Sequence, residues 1–271
     1  CMMFVKRLLS GIALLALAIF FLYMGGLPLL LVVAAIAFVG QFELYRALGI
    51  EHKGLAFIGY TATAAYFVLV YCGGVYYMAT VIVVTLIVLM TAYVATFPEY
   101  KTEEVTAAFF GMCYVPVMLS YLYLTRMLPD GRYFVWLILI SSWGSDTLAY
   151  CFGMLFGKHK MVPKLSPKKS IEGAIGGVAG AMVLGAIFGY AINSRFFSGE
   201  VSLFTCSVAC GIGAIISMIG DLAASAIKRN HGIKDYGDII PGHGGVLDRF
   251  DSMLFTSPAV YFAVKILEEM I

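Results

Sequence analysis

Long apolar runs separated by short polar loops make up nearly the whole chain. Stretches of about 20 apolar residues, the length an α-helix needs to cross a hydrocarbon core of about 30 Å, predict nine spans. They fall at residues 8–24, 27–46, 54–72, 75–97, 104–126, 133–156, 172–194, 201–227 and 252–271. The first follows Lys6 and Arg7 as a signal peptide would, but no small-residue cleavage site follows, so it is read as an anchor. The expected fold is all-α, a polytopic integral membrane protein with about nine transmembrane helices. Residues 1–130 form a five-helix scaffold, and residues 131–271 form a four-helix region with polar loops at 157–171 and 228–251. The scaffold spans carry few charges, Glu43 near the end of the second being the main exception.

Composition agrees with the pattern. The chain is 61% hydrophobic and 13% charged, against about 25% charged in soluble domains, and its mean hydropathy is +0.92. The six cysteines contain no CxxC pair and lie mostly in apolar runs, so neither a disulfide framework nor a zinc site is expected; Cys1 is given no role. The net charge of +2 points to no nucleic-acid partner. Its distribution is more informative, because Lys and Arg accumulate in cytoplasmic loops. With the N-terminus inside, 14 of the 18 basic residues fall in cytoplasmic segments, three (Arg126, Arg132, Arg195) fall opposite, and Lys265 lies in the last span. Both polar loops therefore face the cytoplasm, at the cell inner membrane.

Ionisable groups in or at the edge of a hydrophobic slab are costly and mark substrate or ion sites. Asp146 lies about ten residues from either end of the sixth span, and helical spacing puts Ser142, Asp146, Tyr150 and Gly153 on one face. The loop GKHKMVPKLSPKKS, residues 157–170, is basic, and Ser170 is placed to cap the seventh span, whose free N–H groups favour an anion nearby. Glycines at 173, 176, 177, 180, 185 and 189 suit close helix packing.

The densest polar stretch is Ser225 to Asp251, with four Lys/Arg, four Asp and two His in 27 residues. Asp221, Ser225 and Lys228 form one helical stripe, with Asp221 about 10 Å deeper than Lys228 at a rise of about 1.5 Å per residue. If a helix begins near Val246, Asp248 and Asp251 share a face. Together with Asp221 they supply three carboxylates, a set that favours Mg²⁺ completed by water and phosphate oxygens. His243 has no second histidine at ligand spacing and is read as a phosphate hydrogen-bond donor. Arg249 either balances the flanking aspartates or binds phosphate, and Lys234, Asp235 and Asp238 are read as loop charges.

The pattern from Ser225-x-Ile227-Lys228-Arg229 through Lys234-Asp235-x-Gly237 to Ile240-Pro241-x-His243-Gly244-Gly245-Val246-x-Asp248-Arg249-Phe250-Asp251 resembles the signature of the phosphatidate cytidylyltransferases, the CDP-diacylglycerol synthases. The segment from Asp146 through Tyr150 and Gly153 to Ser166-Pro167-Lys168-Lys169-Ser170 is similar to that family too. The resemblance implies transfer of a cytidylyl group from CTP to phosphatidate with release of pyrophosphate, a membrane-lipid substrate entering laterally, and a homodimer. It implies catalytic roles for Asp221, Lys228, Arg229 and Asp248, and metal binding by Asp221, Asp248 and Asp251. Substrate contacts fall to Asp146, Ser166, Lys168, Lys169, Ser225, Lys234, His243 and Arg249. Two rivals remain. A transporter coupled through buried carboxylates accounts for Asp146 and Asp221 but not for the Lys-Arg and His-Gly-Gly-x-x-Asp-Arg-x-Asp arrangement, and a CTP-dependent lipid kinase is distinguished by its products.

Overall fold

The computed structural model describes residues 11, 15–73, 77–163, 165–194, 201–239 and 244–270. Within them, helix α1 (Leu15–Met24) is short and apolar. Eight further helices are long and apolar enough to cross a membrane: α2 (Gly26–Ala47), α3 (Gly54–Tyr71), α4 (Met78–Ala95), α5 (Thr102–Arg126), α6 (Gly131–Phe156), α7 (Ile171–Ile192), α8 (Leu203–Asn230) and α9 (Leu247–Met270). The architecture is that of an all-α multi-pass membrane protein. Eight of the nine expected spans are thus found as long helices; of the first, residues 15–24 form the shorter α1, and 8–10 and 12–14 lie outside the described residues. One local departure from all-α character is a two-stranded antiparallel hairpin between α6 and α7, β1 (Lys160–Val162) and β2 (Ser166–Ser170), which pairs Lys160 with Ser170 and Val162 with Ser166.

The chain divides into two compact units, Cys1–Ser120 with His231–Arg249, and Tyr121–Asn230 with Phe250–Ile271. In the first, α2, α3 and α5 close around a buried polar cluster. Gln41 Nε2 donates to the Tyr45 hydroxyl at 2.9 Å, Tyr45 donates to the Ala108 carbonyl at 2.5 Å, and Thr63 donates to Gln41 Oε1 at 2.7 Å. Such pairing is required of polar atoms that have lost water. Pro116, which has no N–H to offer a helix, sits in a π turn at Cys113–Val117 that absorbs the missing bond.

In the second unit, α7 packs between α6 and α8 through its glycines, as their spacing implies. A Cβ at Gly177 would stand 2.9 Å from the Ser145 carbonyl oxygen, and one at Gly185 would stand 2.5 Å from that of Cys206. Backbones this close leave no volume for a side chain, and contact of this kind holds helices together where no water is available to drive them.

Candidate active site

A cavity of about 560 Å³ opens in the second unit between α6, α7, α8 and the hairpin. Its polar lining includes Asp146 from α6, Ser166, Lys168 and Lys169 from β2, and Asp221 from α8. Its apolar lining includes the exposed side chains of Tyr150 and Met154. Lys169 Nζ stands 2.5 Å from Asp221 Oδ2, an ionic contact without the angles of a hydrogen bond, and both side chains are largely enclosed. The hairpin therefore sets three lysines, Lys160, Lys168 and Lys169, against the two carboxylates of the helices.

Local structure accounts for how these groups arrive. Ser170 has extended backbone at the α7 N-cap, and its Oγ accepts from the Gly173 amide at 3.2 Å, which is the capping expected from the sequence. Glu172 accepts from the backbone amides of Lys158 and His159, at 3.1 and 3.2 Å, and from His159 Nδ1 at 2.6 Å. These bonds tie the start of the hairpin to α7. On α6 the expected face is only partly formed. Asp146, Tyr150 and Gly153 line the cavity, while Ser142 is buried and donates to the Ile138 carbonyl at 2.9 Å. Ser142 lies in a π turn at Ile140–Gly144, one turn beyond the cavity residues.

Helix α8 runs unbroken from the apolar core to Asn230, so Asp221, Ser225 and Lys228 occupy one helix as expected. Lys228 Nζ lies 4.0 Å from Asp251 Oδ2, and both side chains are mostly buried. The two helices touch at Gly220, where a Cβ would stand 3.1 Å from the Asp251 carbonyl oxygen. Asp221 and Asp251 are thus carried by helices in contact, while Ser225 is half-buried and Arg229 is exposed at the α8 end.

In the first unit, the loop His231–Arg249 is folded against α2. Asp248 is buried, and its Oδ2 accepts from the Tyr236 amide at 2.8 Å and the Gly245 amide at 3.0 Å. Gly244 between them has φ +86°, a conformation open to glycine and strained for other residues. Glu43 of α2 accepts from the Val246 and Leu247 amides, and Arg46 donates to the Tyr236 carbonyl at 2.7 Å. Lys234 and Arg249 are exposed, and His243 lies outside the described residues. Neither Glu43 nor Arg46 is assigned to the site by the motif reading. The signal was present, since Glu43 is an ionisable residue in an apolar span.

Among the described residues no three His, Cys, Asp or Glu side chains converge to metal-binding distance. Asp221 and Asp251, on helices in contact, are oxygen donors of the kind magnesium takes one or two of from a protein, completing its shell with water and phosphate oxygens.

A model of the cytidylyltransferase family matches residues 5–267, nearly the whole chain. The chain belongs to that family. Family membership agrees with the resemblance carried by residues 141–251 and extends it over the first five spans. Among curated relatives, the chain is similar to the phosphatidate cytidylyltransferase of Thermotoga maritima, 36% identical over 174 residues, which is 64% of each protein. It is 29% identical to the phosphatidate cytidylyltransferase of Bacillus subtilis over 272 residues, 96% of this chain and 97% of that one. The corresponding protein of Staphylococcus haemolyticus is 34% identical over 171 residues, 63% of each. The matches to the Thermotoga and Staphylococcus proteins therefore span just under two thirds of those relatives, and the Bacillus match spans nearly all of one.

Proposed function

We propose that the protein is a CTP:phosphatidate cytidylyltransferase acting at the cytoplasmic face of the inner membrane. The observation that carries this reading is the cavity in which Asp146, Lys169 and Asp221 meet within apolar helices. A chamber of that kind suits the phosphates of a nucleotide brought beside a lipid head group whose acyl chains stay in lipid. Family membership and the named activity of the relatives support the same reading.

In the reaction, a phosphate oxygen of phosphatidate attacks the α-phosphorus of CTP. The bond from that phosphorus to the oxygen bridging the β-phosphorus breaks, and pyrophosphate leaves with the electron pair. A phosphate monoester has a second pKa of about 6, so the nucleophile is largely a dianion at neutral pH and needs no strong base. What the protein must supply is charge neutralisation and alignment. Lys168 and Lys169, with Ser166 and Asp146, serve the nucleotide side, and Lys228 and Arg229 neutralise phosphate groups. Asp221, Asp248 and Asp251 are the carboxylates that would hold Mg²⁺, and the ion, when bound, would supply Lewis-acid neutralisation of the phosphates.

The test uses the full chain in detergent with labelled CTP, phosphatidate and Mg²⁺. CDP-lipid and pyrophosphate are the expected products, and CDP with a phosphorylated lipid would replace this reading with a lipid kinase. Chelation should abolish turnover and added Mg²⁺ restore it. Unchanged turnover in Asp248→Asn would overturn a metal-binding role for that residue.

A further inference from the structure

We propose that Glu43 of α2 is a positioning residue that sets the first turn of α9 and, through the loop before it, the carboxylate of Asp248. Only the kinetic part of its test rests on the function proposed above. Glu43 is fully buried, and each of its oxygens is engaged by a different backbone amide: Oε1 accepts from Val246 at 3.0 Å and Oε2 from Leu247 at 2.8 Å. These amides open α9, where N–H groups lack intrahelical partners and the helix end carries partial positive charge. A residue some two hundred positions away thus does what a cap usually does from the adjoining loop.

The loop is shaped to allow this. A Cβ at Gly245 would lie 2.6 Å from both Glu43 oxygens, so only glycine lets the backbone pass over the carboxylate, and Gly237 is similarly close. One turn along α2, Arg46 donates to the Tyr236 carbonyl, and the amides of Tyr236 and Gly245 both donate to Asp248 Oδ2. Glu43 and Arg46 therefore grip the two segments of backbone that orient Asp248. A carboxyl group in an apolar span is costly to keep. Here it satisfies two helix-end donors and fixes the start of the helix that carries the motif.

Glu43→Gln keeps one acceptor oxygen and turns an amide NH₂ toward the other donor. In full-length protein in detergent, the expected result is faster hydrogen–deuterium exchange at residues 244–248. With it, kcat should fall by about 10- to 100-fold, the scale of loss from misplacing a reacting group by about 1 Å, and the thermal midpoint should fall as well, because a buried amide is left facing another donor. Gly245→Ala disturbs the same contact from the loop side and should give the same signature. The double variant should lose no more than the worse single one, since both break one interaction. If Glu43→Gln fails to fold, Gly245→Ala carries the test. Unchanged exchange at 244–248 overturns the proposal, as does altered exchange with unchanged kcat, which would leave Glu43 a purely structural cap. If the wild-type protein forms no CDP-lipid, the functional reading fails, and the exchange measurement still decides whether Glu43 sets the α9 start.

Discussion

At the scale of single residues, the cavity sets Lys160, Lys168 and Lys169 against Asp146 and Asp221, and Lys169 is the cation that reaches Asp221. Replacing it with methionine keeps much of the stem while removing the charge, so phosphate loses a preorganised partner. Lys169→Met is expected to lower kcat/KM by about 10²–10³-fold, the cost of removing one such electrostatic contact, measured with labelled CTP. Lys169→Arg should not rescue fully, because the guanidinium fork does not match a point contact with one carboxylate oxygen. Asp146 and Asp221 were legible in the sequence for a physical reason: a carboxylate in an apolar run stands out against the cost of burying it. Lys169 was legible as part of a basic motif, but its pairing with Asp221 was not, since 52 positions and the whole of α7 separate them. Glu43 followed the same physical rule as Asp146, yet its partners are backbone amides, which no side-chain pattern displays.

At the scale of elements, the joints that hold the cavity open are small. Ser170 caps α7 directly after β2, so Ser170→Ala should cost about 1 kcal/mol. It should also raise KM for CTP by loosening the strand that carries Lys168 and Lys169, a change read by steady-state kinetics alongside a melting curve. The α7 glycines admit no larger residue, and Gly185→Leu would drive α7 off the Cys206 backbone. Overpacking of this kind costs about 1–3 kcal/mol, visible as a lowered thermal midpoint in detergent. Glycine spacing announced that packing, because helices in lipid approach closely only where side chains are small. The π turn at Ile140–Gly144 had no such announcement. It changes hydrogen-bond partners by one residue without any composition signal.

At the scale of the whole molecule, the uneven distribution of Lys and Arg leads to a prediction about sidedness. In sealed vesicles of protein whose native cysteines have been replaced, cysteines introduced for Lys160 and Lys234 should react with an impermeant maleimide from the cytoplasmic side only, and one for Arg132 from the opposite side only. The reverse labelling would invert the orientation proposed here. The sequence by itself determined the membrane class, the eight long helices found among the described residues, and which ionisable residues stand out. Bilayer thickness dictates span length and the cost of burying charge exposes each charged residue, so both are written locally along the chain. Only the tertiary structure decided which of those residues meet. Lys169 on the hairpin reaches Asp221 from the far side of α7 in sequence, and Glu43 reaches the start of α9 across more than two hundred residues. Such contacts depend on how helices pack and where a loop folds back, and no periodicity within a single span encodes them.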